Sequence, residues 1–136
     1  MDPERYFLLD TSAFLALRGN ETGADEVERL LRQAENGALF LLASFMTRME
    51  LLYLIGREEG QEAARQALRL IDTFSLEWVL CEPEILEAAA QLKAKGGLSV
   101  ADSWIGATAI IRNAILIHKD PEFSKLQEIP QRFLKS

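Results

Sequence analysis

The feature that most narrows the fold is an alternation. Short apolar runs are separated by longer stretches with helical spacing. The runs are Tyr6 to Leu9, Leu39 to Ala43, Leu76 to Cys81 and Ala114 to Ile117. Consecutive apolar residues over so short a span suit strands buried on both faces, the kind found in parallel sheets. Between them, Val27, Leu30, Leu31 and Ala34 form one stripe within a helix read from Gly23 to Asn36. Ala64, Ala67, Leu68 and Ile71 do the same within Glu59 to Phe74, and Ile85, Ala88, Ala89 and Leu92 within a helix opened by Pro83. A short helix follows Asp10 as far as Arg18, another runs from Ser44 to Ile55 and ends at Gly56, and a last short one starts at Pro121. Ser99 to Arg112 is apolar nearly all round, which places that helix centrally. Strands alternating with helices predict an α/β domain with a mostly parallel central sheet flanked by helices.

A length of 136 residues suits one domain over 1–136, and 49% hydrophobic content supplies a core without disulfide or zinc staples. The one cysteine, Cys81, excludes an internal disulfide and reads as a small buried hydrophobe in the third run. The one histidine, His118, excludes nuclease sites with two imidazoles and multi-histidine metal sites, and no G-x-S-x-G elbow accompanies it. The start, Met1 to Arg5, is charged and unlike a leader, and no run approaches the roughly 20 residues of a membrane span. A soluble, cytoplasmic protein with no membrane partner is expected. The net charge of -6 disfavours nucleic-acid binding by phosphate neutralisation alone. Cations or local basic patches would have to mediate it, and a basic partner segment would be attracted.

Strands of such sheets carry their ligands beyond their carboxyl ends. Asp10 and Asp120 stand just past the first and fourth runs, and Glu50 and Asp102 lie within the first two turns of helices. Each acid also has a plainer role. Asp10 and Asp120 suit helix caps, and Ser99-x-x-Asp102 has the form of a capping box. Glu50 shares a face with Met46, Met49 and Tyr53, so it lies either at the rim of an apolar stripe or in a cleft holding a cation. Gly106, one turn below Asp102, marks close packing or open space. Glu122 reads as a solvated helix-start acid, and Trp104 and Tyr53 read as core. Arg18, Arg48 and Lys119 lie where they could meet phosphates. If the four carboxylates converge, their repulsion raises their pKa values and invites divalent ions. Oxygen-only ligands suit magnesium or manganese, which lower the pKa of water and stabilise a phosphodiester's attacking and leaving oxygens.

Four segments carry a resemblance. They are Leu8-Leu9-Asp10-Thr11-Ser12, then Ser44-x-x-Thr47-x-x-Glu50-Leu51, then Leu98-Ser99-Val100-Ala101-Asp102 continuing to Ala109, and Ile117-His118-Lys119-Asp120-Pro121-Glu122-Phe123. In this order and spacing, over about residues 6 to 126, the chain resembles the PIN-domain family, and most of all its VapC-type toxins. The resemblance implies a metal-dependent endoribonuclease in which Asp10, Glu50, Asp102 and Asp120 ligate magnesium or manganese and activate water. Thr11 or Ser12 would support them by hydrogen bonds, and the product would carry a 5′-phosphate. It also implies a protein antitoxin that threads a basic segment into the acidic cleft, and a homodimer. The fourth segment departs from the pattern, with His118 where the family often has Thr or Ser. Two other functions fit the same residues: an RNA-processing nuclease without an antitoxin, and a catalytically silent α/β interaction module whose acids are only caps.

Overall fold

A computed structural model describes residues 5–135. Residues 1–4, most of the charged start, and residue 136 lie outside that range. Five strands, β1 (Tyr6–Leu9), β2 (Phe40–Ser44), β3 (Leu76–Val79), β4 (Ile115–His118) and β5 (Gln131–Phe133), form one sheet in the order β3-β2-β1-β4-β5, and every pairing is parallel. Seven helices connect them: α1 (Thr11–Arg18), α2 (Ala24–Glu35), α3 (Phe45–Glu59), α4 (Gln61–Ile71), α5 (Pro83–Lys95), α6 (Val100–Ile111) and α7 (Pro121–Ser124). This is the α/β architecture that the alternation predicts.

The first, second and fourth runs are uninterrupted because the sheet is covered twice, with successive side chains pointing to opposite faces, whereas the third carries exposed Glu77 on the edge strand β3. Phe7, Leu9, Leu41, Ala43 and Ile117 pack with α1, α2, α3 and α4. Leu8, Leu42, Val79 and Leu116 pack with α5 and α6 on the other side. The chain therefore works outward from β1 to β3 over one face, then returns across the other to place β4 beside β1. The segment leaving β1 packs on the first face through Phe14, and the segment leaving β4 packs on the second through Phe123. The adjacent ends of β1 and β4 thus lie where the connections diverge, the switch point at which open α/β sheets hold ligands.

Several boundaries differ from the sequence reading. The helix expected to end at Gly56 continues to Glu59, because the left-handed turn falls instead at Gly60, with φ +98°. On α3 the buried face is Thr47, Leu51 and Ile55, whereas Met49 and Tyr53 are exposed. Of the stripe of Met46, Met49 and Tyr53 only Met46 packs partly against the core, and Glu50 lies at the edge of the buried face. Trp104 is half-buried, packed against the α5–α6 side of the core and edge-on to Phe45. The third strand stops at Val79, which leaves Cys81 exposed rather than buried. The fourth run begins its strand at Ile115 and extends it to His118, and β5 has no counterpart among the apolar runs. Gly106 is explained by packing, since a Cβ there would sit 2.8 Å from Ile129 Cδ1. Among the described residues no helix is long and apolar enough to cross a membrane.

Arg48, which could have met phosphate, is committed elsewhere. It makes a two-pronged contact with Asp72 at 2.8 Å on each oxygen, stacks over Trp78 at 5.1 Å, and Trp78 donates its indole N–H to the same Asp72. This knot ties α3 to the α4–β3 connection. Arg48→Ala is expected to cost about 1 kcal/mol, seen as a lower urea midpoint with an unchanged slope, and less so at high salt.

Candidate active site

Three helix starts meet the carboxyl ends of β1, β2 and β4, and each is fixed by a side chain the sequence offers for capping. Asp10 accepts from the Ala13 N–H at 2.9 Å and caps α1. Ser44, the last residue of β2, accepts from the Met46 N–H and caps α3, which sets the phase that presents Glu50. Asp120 accepts from the Glu122 N–H at 2.9 Å and caps α7. Ser99 caps α6 by accepting from the Asp102 N–H at 3.1 Å. Among the described residues only the serine half of that capping box forms, so the Asp102 carboxylate is left for other neighbours.

The cap readings of Asp10 and Asp120 therefore hold, and their carboxylates still act on one another electrostatically. Asp10 is 3% exposed, and the Ser12 hydroxyl donates to its carboxylate at 2.7 Å. Burial pushes the Asp10 carboxyl up to about 7 against the hydrogen bonds from Ser12 and Ala13, and the charges of Asp120 and Glu50 push the same way. Asp102 also rises to about 7. Its causes are burial first, then the neighbouring Asp120 carboxyl, then the charges of Glu50 and Asp10. All four acids named from the sequence thus share one electrostatic neighbourhood. Among the described residues, however, no three His, Cys, Asp or Glu side chains are grouped so that one ion could be held by all of them.

Hydroxyls organise the first two acids. Thr11 Oγ1 lies 2.7 Å from Glu50 Oε1 and 3.1 Å from Thr47 Oγ1. Thr11 has one proton to give, and the carboxylate is the stronger acceptor, so Thr11 donates to Glu50 and accepts from Thr47. Ser12 donates to Asp10 and accepts from the Lys119 N–H at 2.8 Å, joining residues 107 positions apart in the chain. Thr11 and Ser12 thus each hydrogen-bond to one of the four acids.

The structure adds Thr47 and Gln131, which the sequence does not single out, and gives a place to His118, which it does. Thr47 is fully buried beneath Glu50 and is visible in the sequence only as one letter of a motif. His118 and Gln131 form a buried relay behind Asp120. Glu122 is exposed and faces Lys125 at 3.5 Å, away from the cluster. Arg18 pairs with Glu59, and Lys119 sits 3.9 Å from Glu21.

The chain matches the family profile described as the PIN domain over residues 7–129. It belongs to the PIN-domain family. PIN domains as a family are nucleases, which suits an acidic site at the switch point of a parallel sheet. Solved structures share the fold. One is VapBC2 from Rickettsia felis bound to a DNA fragment from its promoter, with TM-score 0.78, 18% identity and coverage of 96% of this chain and 99% of that one. Another is VapBC-1 from nontypeable Haemophilus influenzae, with TM-score 0.73, 22% identity and coverage of 94% and 97%. A third is VapC20 from Mycobacterium tuberculosis, a sarcin-ricin loop cleaving toxin, with TM-score 0.69, 17% identity and coverage of 88% and 93%. Comparison with curated proteins finds no match.

Proposed function

We propose that this PIN domain is a divalent-metal-dependent endoribonuclease, the toxin of a toxin–antitoxin pair, with Asp10, Glu50, Asp102 and Asp120 as its catalytic and metal-holding residues. One observation carries the reading. Four carboxylates lie beyond the strand ends near enough to act on one another electrostatically, and two of them are held up to about 7. A structural role gives no reason to collect uncompensated charge there, because such a cluster destabilises the metal-free fold.

The residues fit magnesium or manganese by the chemistry of their donors. All are hard oxygens, and magnesium takes one or two carboxylates directly while keeping several waters. That mode needs no group of three acids around one ion. When bound, the metal supplies Lewis acidity and a lowered pKa for water. The chain's own residues do the rest. Ser12 and the Ala13 N–H hold Asp10 in one orientation, and the Thr11 hydroxyl holds Glu50. Protons that Asp10 and Asp102 still hold near pH 7 must leave when a cation arrives. Phosphate can approach the acids only as its charge is offset by cations, which suits a net charge of -6.

An antitoxin partner is supported by the fold shared with VapBC complexes and by an apolar groove between α1, α3 and α4, lined by Phe14, Leu17, Leu51, Ile55, Ile71 and Phe74. A homodimer is supported by exposed apolar residues, Met49, Leu52 and Tyr53 on α3, Leu86 on α5 and Val100 on α6. The deciding assay uses purified, chelator-treated protein on a pool of structured RNAs. Cuts that leave 5′-phosphates are expected only after magnesium or manganese is added. Cutting that continues in chelator would remove the mechanism. A short upstream reading frame with a DNA-binding start and a basic end separates a toxin from an RNA-processing nuclease. Manganese titration without binding at millimolar concentration would favour the silent interaction module.

A further inference from the structure

His118 has no exposed surface, and its ring is used at both nitrogens. Nε2 lies 2.9 Å from Gln131 Oε1, and Nδ1 lies 3.0 Å from the backbone nitrogen of Asp120. The direction of each bond is determined by its partners. The Gln131 side-chain Nε2 is surrounded by three backbone carbonyl oxygens that can share its two hydrogens, those of Phe123 at 2.7 Å, Leu126 at 2.9 Å and Ile129 at 3.3 Å. That leaves its oxygen facing the ring, where it can only accept, so Nε2 carries the hydrogen. The Asp120 N–H is a donor, so Nδ1 must offer a lone pair. Only the neutral imidazole protonated on Nε2 satisfies both contacts. Phe123 and Phe133 meet the ring edge-on, with centroids 5.2 and 5.4 Å away, and fix its plane.

We infer that His118 is a positioning residue. Its Nδ1, locked as an acceptor by Gln131 of β5, pins the Asp120 backbone and so sets the orientation of the Asp120 carboxylate. The inference rests on the proposed metal role of Asp120, but its geometry does not. Among the described residues the Asp120 N–H has no other recipient at the end of β4. The carboxylate spends Oδ1 on capping α7, so its remaining orientation follows from where the backbone is held. A hydroxyl at this position, as in the resembled pattern, has no ring with which to reach β5. In this chain the last strand, three residues long at the sheet edge, is thereby wired to the site.

Two measurements on the full chain test this. The sequence has one histidine, so nitrogen-correlated NMR of the imidazole is free of overlap. The expected spectrum in metal-free protein is a neutral ring with hydrogen on Nε2 and none on Nδ1. An Nδ1-protonated ring, or an imidazolium near neutral pH, overturns the relay whether or not the protein proves to be a nuclease. The second readout is manganese affinity by calorimetry. His118→Phe keeps the aromatic packing and removes both nitrogens, and it should weaken manganese binding about tenfold. His118→Asn, which puts an acceptor near the Nδ1 position, should recover most of that loss, and His118→Gln, which puts it near Nε2, should not. If the Phe variant does not fold, the Asn and Gln pair decides alone, and equal affinity in the two overturns the proposal. If wild type binds no manganese, the proposed function fails, and the tautomer spectrum still judges the relay.

Discussion

Asp10→Asn is expected to abolish RNA cleavage and, in the same protein, to make the metal-free fold harder to unfold. Asn keeps the capping oxygen that Ala13 and Ser12 use, and it caps helices about as well as Asp. The substitution removes only the charge. Substituting outer partners of metal ligands commonly costs tenfold to a hundredfold, so losing the carboxylate itself should cost at least about a hundredfold in kcat/KM. The stability effect has the opposite sign. Asp10 titrates near 7 in the folded chain against an ordinary value of 3.8. The folded state therefore binds this proton more tightly than the unfolded state, and stability falls as pH rises between the two values. One pH unit corresponds to about 1.4 kcal/mol, so above pH 7 the ionised, metal-free form is less stable by on the order of 2–4 kcal/mol. Asn escapes this. The variant should be more stable than wild type at about pH 8 and equal to it by about pH 4. The comparison removes the opposing effect of His118, whose buried ring titrates below its ordinary value in both proteins. An Asn variant that keeps its activity, or is no more stable at pH 8, would contradict the site.

The second large effect is the response of wild type to manganese. At about a hundredfold excess over the dissociation constant, a ligand of the folded state adds about 2.7 kcal/mol. For a chain of this size that is on the order of 10 °C in the unfolding midpoint. The rise should be full at about pH 8, where Asp10 and Asp102 are ionised. It should shrink towards nothing near pH 5, where protons occupy both sites and must be displaced. Asp102→Asn should blunt the response at every pH. A rise of equal size at both pH values, measured by scanning calorimetry with the metal as its chloride, would place binding at some other group.

Much of this architecture is legible in the chain alone, and the reasons are local. The inner strands appear as plain apolar runs because both faces of the sheet are covered, and α2, α4 and α5 announce themselves by their spacing. The strand β5 cannot be read that way. Gln131-Arg132-Phe133 carries no apolar pattern and is held by its ladder to β4, with the Leu116 N–H on Pro130 and the Leu134 N–H on His118 closing its ends. The face of α3 is misleading because two methionines and a tyrosine look like core while the buried position is a threonine, Thr47, whose hydroxyl serves Glu50 through Thr11. Cys81 is misplaced by the same kind of reading, because an apolar run does not reveal where its strand stops. The four acids are legible as a set because each follows a strand end or a helix start. Their supports are not, since Thr47, Gln131 and the Lys119 backbone act across the fold, and no spacing in the chain records that.

The strand order carries a consequence for how the molecule is made. β1 is synthesised first and lies at the centre of the sheet, but one of its two neighbours is β4, in the last quarter of the chain. Until that segment emerges from the ribosome, β1 presents an unpaired flank, and Ser12 has no Lys119 to join. Contacts between such distant parts of a chain form late. The acidic site therefore closes only once β4 and the residues just after it have been made, and a chain without them holds neither a finished site nor a finished sheet.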